Sequence, residues 1–153
     1  MRDIDLEHFI VAAKAASYVG DGQKAMASRP GSHDLTFADG IWLYRDSYLG
    51  GRNFLGQEVV WQRGVPVWAM NYYGYIINPA LIDAARAGET IKAALAALYA
   101  EGRFLGGFEW RGPHGIYRDR SEGAFEHFQG REAIEVDGAE AYALEYHGGL
   151  VVS

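Results

Sequence analysis

Residues 54–76, FLGQEVVWQRGVPVWAMNYYGYI, and residues 128–150, FQGREAIEVDGAEAYALEYHGGL, align end to end without a gap. Phe54/Phe128, Gly56/Gly130, Glu58/Glu132, Gly64/Gly138, Ala69/Ala143, Tyr72/Tyr146 and Gly74/Gly148 coincide. Seven identities in 23 positions exceed the roughly one or two expected from average residue usage. Working outward, Tyr44-Arg45-Asp46 matches Tyr117-Arg118-Asp119, and AAKAASY (12–18) matches AALAALY (93–99). Three matches in the same order read as an internal duplication. The expected fold is α+β, a single domain over 1–153 with halves at about 5–76 and 79–150. Each half is a helix followed by three strands, giving one antiparallel sheet with two main helices.

Local signals supply the elements. Leu6, Phe9, Ile10 and Ala13 have the i, i+3, i+4, i+7 spacing of an amphipathic helix, predicted over Leu6–Ser17. Asn78 and Pro79 suit the cap and first turn of a second helix running to about Tyr99 and closed near Gly102, with Gly88 a point of possible breakage. Asp137-Gly138, and Arg63-Gly64 in the matching place, predict two-residue hairpin turns. Pro66 belongs where a missing N–H does no harm, near an edge. Strands are predicted at 35–37, 41–48, 57–62, 65–76, 105–110, 115–119, 131–136 and 139–147.

A plain two-residue turn at Arg63-Gly64 sets Glu58 opposite Ala69 and Val60 opposite Val67. Side chains alternate along a strand, so Glu58, Val60, Val67, Ala69, Asn71 and Tyr73 would share a face. Trp61, Trp68, Met70 and Tyr72 would share the other, where the helices pack. A carboxylate among Val and Ala is costly to bury alone. Glu58 is therefore exposed, salt-bridged to Arg45, or one wall of a ligand cleft near Glu132. In the last case Tyr44, Asp46, Tyr48, Glu58, Trp61, Trp68, Asn71, Tyr72, Tyr73 and Glu109 are the candidate ligand-binding residues. Carboxylates beside aromatic faces suit a planar or cationic organic molecule. If the domain is an enzyme, Glu58 is the candidate general acid or base.

Composition narrows the classes. The formal charge is −6 and basic residues nowhere cluster, which speaks against nucleic-acid binding and against adsorption to anionic membranes. Cysteine is absent and the five histidines show no metal-binding spacing, so no metal or cofactor is expected. MRDIDLEHFIVAAKAAS lacks the pattern of a signal peptide, making the cytoplasm the expected location. The connection from Tyr18 to Tyr44 is eight residues longer than that from Tyr99 to Tyr117. Its excess around 20–34 reads as a surface loop or as a lid.

The order α-β-β-β twice is a cyclic shift of the plan of GyrI-like small-molecule-binding domains, whose two repeats face each other across a cleft. The runs LTFADGIWLYRDSYLGG (35–51), FLGQEVVW (54–61), PVWAMNYYGYI (66–76) and RFLGGFEW (103–110) resemble an uncharacterised bacterial domain family. That family occurs alone or behind XRE-type helix-turn-helix regulators, and no helix-turn-helix pattern precedes the match in this chain. The resemblance implies a domain boundary more than an activity. A small-molecule-binding module is the expectation. A small hydrolase acting on such a compound and a protein-interaction module are the alternatives, and a homodimer is compatible with all three.

Overall fold

A computed structural model describes residues 3–20 and 22–153. Helix α1 spans Asp3–Lys14 and continues as a π-helical turn over Ala15–Val19. The predicted spacing is realised: Leu6, Phe9, Ile10 and Ala13 are all buried. Lys14, one turn beyond Ile10 on the same face, is buried too.

Helix α2 spans Ala84–Ala100, later than expected. Asn78 starts a separate turn, accepting from Ala80 N through Oδ1 and from Leu81 and Ile82 N through its carbonyl. Asp83, extended at φ −101°, caps the helix by accepting from Arg86 N at 2.8 Å. Ile82 is buried between the two caps; one apolar anchor therefore separates turn from helix. Ala87, Thr90, Ile91, Ala94 and Leu98 form the buried stripe. The helix runs unbroken through Gly88, where an added Cβ would meet nothing within 4 Å.

The strands are β1 (Gln23–Ala25), β2 (His33–Asp39), β3 (Trp42–Gly50), β4 (Phe54–Gln62), β5 (Val65–Ile76), β6 (Phe108–Gly112), β7 (Gly115–Ala124), β8 (His127–Val136) and β9 (Ala139–Leu150). They form one antiparallel sheet in the order β1-β2-β3-β4-β5-β9-β8-β7-β6. β1 falls in the segment read from sequence as a surface loop or a lid. The fold is thus α+β, with both helices contributing to the core on one sheet face. At the centre of the sheet Tyr72 of β5 pairs with Tyr146 of β9.

Both hairpin turns have two residues at positive φ, Arg63 (49°) with Gly64 (81°) and Asp137 (52°) with Gly138 (82°). Each hairpin also carries a bulge, between Val60 and Trp61 and between Ile134 and Glu135. The ladder therefore resumes with Val60 opposite Trp68 and Glu58 opposite Met70. One extra residue, Val67, reverses the face of everything beyond it on β5. This corrects the face assignment drawn from a plain turn. Trp68 and Met70, the larger apolar groups, join Glu58, Val60 and Tyr44 inside, whereas Trp61, Ala69, Asn71 and Tyr73 turn to the opposite face. Burial of the bulkier residues favours this arrangement. Pro66 sits opposite Trp61, before β9 begins to pair at Trp68, so its missing N–H breaks no second ladder.

Candidate functional site

The inner sheet face and the two helices enclose a cavity of about 410 Å³. Exposed wall residues, among them Tyr18, Gly51, Arg52 and Ala84, mark its opening. The volume is within the range of small-molecule sites.

At one end, β3 and β4 place Asp46 directly opposite Glu58. Tyr44 Oη donates to Glu58 Oε1 at 2.7 Å, and Tyr72 Oη donates to Asp46 Oδ1 at 2.6 Å. Lys14 Nζ donates to the same Glu58 oxygen at 2.8 Å and approaches Met70 Sδ at 3.1 Å. It also lies 5.0 Å from the Phe104 ring centroid and 5.7 Å from that of Trp68. A buried ammonium with a carboxylate and two ring faces has exchanged its water for specific partners.

At the other end, β7 and β8 place Asp119 opposite Glu132. Tyr117 donates a short hydrogen bond to Glu132, Tyr142 Oη donates to Glu132 Oε1 at 3.1 Å, and Tyr146 Oη donates to Asp119 Oδ1 at 2.8 Å. The second oxygen of Asp119, Oδ2, is buried and has no hydrogen-bond partner.

Glycines make the phenol contacts possible. A Cβ on Gly56 would come within 2.3 Å of the Tyr72 ring, and one on Gly130 within 2.2 Å of the Tyr146 ring. Each tyrosine lies across the neighbouring strand at its glycine and so reaches the aspartate one strand further on. Gly56→Ala is expected to force Tyr72 off Asp46 and to cost about 1–3 kcal/mol as an overpacked site. Urea unfolding of the variant against the parent measures it.

Burial governs the electrostatics. It raises Asp46 well above the ordinary carboxylate range, and the charge of Glu58 adds to this, against the Tyr72 hydrogen bond and Lys14. Burial lifts Glu132 to about 7 and Asp119 to about 6, opposed by the hydrogen bonds from Tyr117 and Tyr146 respectively. Burial and the adjacent carboxylates hold Tyr44, Tyr72, Tyr117 and Tyr142 well above the usual phenol value, which keeps them as donors. Among the described residues no three His, Asp or Glu side chains group as ligands of one metal ion; the acidic groups are spread around the wall.

Of the residues singled out from sequence, Tyr44, Asp46, Tyr48, Glu58 and Tyr72 line the cavity. Trp68 lies beneath it, fully buried, with Nε1 donating to the Phe125 carbonyl at 2.9 Å. Asn71 and Tyr73 are on the far face because of the bulge, Trp61 is there because it alternates with Val60 along β4, and Asn71 receives a hydrogen bond from Gln57. Glu109 is exposed on edge strand β6 beside Arg118 and Arg111. Arg45 is not the partner of Glu58; its guanidinium meets Asp34 at 2.7 Å on the far face.

That Arg45–Asp34 pair also settles where the 20–34 segment goes. Ser28 and Ser32 donate to Asp34, and Arg29 donates to Ser47. Residues 28–32 are strapped to the sheet face away from the helices, whereas His33, opposite Tyr48 at the start of β2, lines the cavity. The sequence list missed Lys14, Asp119, Tyr117, Tyr142 and Tyr146, while Glu132, expected beside the cleft, lines it. Signals for them existed: Lys14 is a charge on the apolar face of α1, and the others lie at or near repeat-matched positions.

Fold and site together define an α+β domain whose single antiparallel sheet and two helices surround an acidic, tyrosine-lined cavity. The chain belongs to the family described as Domain of unknown function (DUF5680), whose match spans residues 46–151. The match includes both Asp–Glu pairs and begins after Lys14, Tyr18 and Tyr44. Neither a curated protein nor a solved structure matches the chain significantly. Among the described residues no helix is long and apolar enough to cross a membrane.

Proposed function

We propose that this domain binds a small planar or cationic organic molecule in the cavity between its sheet and helices. The observation that carries the reading is the wall itself. Asp46, Glu58, Asp119 and Glu132 are buried around about 410 Å³ of space, with Lys14 bonded to one of them. A domain selected for stability alone gains little from so many desolvated carboxylates, because packed apolar groups would serve better. A ligand that brings positive charge and a flat apolar body offsets their desolvation.

The symmetry of the wall supports the internal duplication read from sequence. Tyr44–Glu58 corresponds to Tyr117–Glu132 and Tyr72–Asp46 to Tyr146–Asp119. The aligned tyrosines Tyr72 and Tyr146 face each other in the central strand pair, as a pseudo-two-fold axis requires. Two repeats flanking one cleft is also the plan of the GyrI-like domains. With a net charge of −6, a small molecule suits this protein better than nucleic acid or an anionic membrane.

A thermal-shift screen of small organic cations and planar natural products tests the reading. A ligand at a hundred times its Kd adds about 2.7 kcal/mol to native stability, seen as a rise of several degrees in Tm. Stabilisation only by anionic compounds would contradict it. A small hydrolase is the second reading, favoured by Glu132, a carboxyl group held near neutrality between two phenol donors. Chemical change of a stabilising compound on incubation distinguishes enzyme from binder.

A further inference from the structure

The two ends of the cavity are not electrically equivalent. At the Asp46–Glu58 end the protein supplies its own cation, since Lys14 is bonded to Glu58. In the sequence alignment the residue at the place of Lys14 in the second half is Leu95, which also lines the cavity. The Asp119–Glu132 end is therefore built on the same carboxylates with no ammonium bonded to them, and Lys14 reaches Asp119 and Glu132 only as a charge through space. Arg103 is the guanidinium that Asp119 feels from nearby, but no hydrogen bond from it reaches Asp119 Oδ2. Its Nη1 is held by the carbonyls of Leu105 and Gly107, and its Nε by Glu101.

Asp119 Oδ2 is the consequence. The residue is only 5% exposed, it forms part of the cavity wall, and this oxygen has no partner. Leaving a buried acceptor unsatisfied is destabilising, the more so where the group is charged. Glu132, opposite, has its oxygens engaged by Tyr117 and Tyr142. The vacant acceptor thus points to one place for a donor. In the same cavity α2 presents Ala87, Ile91 and Leu95, with Gly88 leaving open room next to them. That wall offers apolar surface to the rest of a ligand.

We infer that the ligand is an amphiphilic amine whose protonated nitrogen donates to Asp119 Oδ2 at the Asp119–Glu132 end, with its planar apolar body against α2. This rests on the small-molecule reading above and replaces Glu58, already paired with Lys14, by Asp119 as the group that meets the ligand's charge. The Glu58–Lys14 end then takes a neutral polar group or none.

Three probes with one indole body test it by calorimetry on the intact protein: tryptamine, tryptophol and indole-3-propionate. The amine is expected to bind at least about ten-fold tighter than the alcohol, in keeping with a charge-assisted hydrogen bond in a desolvated site. The propionate should bind weakest. Asp119→Asn, which keeps the shape and removes the charge, should erase the amine's advantage over the alcohol. Leu95→Lys, which gives this end its own ammonium, should do the same and serves if the asparagine variant does not fold. If the alcohol binds as tightly as the amine, or the amine's advantage survives both substitutions, the charge assignment is wrong and the cavity reading stands. If none of the three binds at millimolar concentration, the assignment is overturned, and a thermal-shift screen that also finds no cation removes the cavity reading with it.

Discussion

Lys14→Met is expected to destabilise the domain by about 3–5 kcal/mol, the loss that follows when one partner of a buried ion pair is removed. Lys14 and Glu58 are 5% and 7% exposed, and their atoms meet at 2.8 Å. Methionine keeps the stem against Phe104 and Trp68, so the change isolates the charge. Without the ammonium, Glu58 keeps only the Tyr44 hydrogen bond and faces Asp46 across the strand pair. Two carboxylates then share one desolvated corner with no cation. The double variant Lys14→Met/Glu58→Gln should recover most of the loss, because removing both charges also removes the penalty of burying either. Urea unfolding of the two single variants, the double variant and the parent closes the cycle. A coupling energy near zero would mean that the pair does not stabilise the fold.

The pair also shows where reading a sequence succeeds and where it stops. The gapless match of 54–76 with 128–150 located four central strands, because alternation and turn chemistry are local. The positive φ of Arg63 and Asp137 followed from the need of a two-residue hairpin for that backbone. The bulges beside those turns were not legible. Nothing local distinguishes Val67 from an ordinary ladder residue, and the bulge is decided by what each face buries once the helices are in place. That single residue misassigned Asn71 and Tyr73 to the face of Glu58. Lys14 was missed for a related reason. A lysine in an alanine-rich helix usually reaches solvent, and only tertiary contact with Glu58, Met70 and Phe104 makes it an interior cation. Tyr44 and Asp46 were found because they sit next to the repeat. Their counterparts Tyr117 and Asp119 follow from the same match once it is carried through the whole candidate set.

Raising the pH from about 5 to 8 is expected to lower the stability of this domain, and Glu132→Gln should remove part of that slope. Burial lifts Glu132 from 4.5 to about 7 and Asp119 from 3.8 to about 6, and raises Asp46 as well. Each group binds its proton more tightly folded than unfolded. Between the unfolded and folded pKa the native state therefore holds more protons, so stability falls as pH rises through this window and levels off above about 7. For Glu132 the span is on the order of 3 kcal/mol. Asp34 has the opposite sign. Burial would raise it, but hydrogen bonds from Ser32, Arg45 and Ser28 outweigh burial and hold it below the usual range. Its contribution is present above the ordinary carboxylate pKa and is lost as the pH falls through its folded value, which places a second decline on the acid side. Glutamine at 132 keeps an acceptor for one of the two tyrosines and turns an NH2 group to the other, whose Oη can accept from it, and it cannot ionise. It should add roughly 1–3 kcal/mol at pH 8 and little or nothing at pH 5, where the parent's own carboxyl is largely neutral. Chemical denaturation at the two pH values reads this difference directly. A parent whose stability rises steadily from pH 5 to 8 would show that the cavity carboxylates are solvated. An apolar, stable wall is easily made from such a sheet, so a cavity that repels itself at neutral pH is a cost that a bound cation removes. The same titration with a stabilising amine present should flatten the decline, because the amine neutralises the charge that the protons otherwise supply.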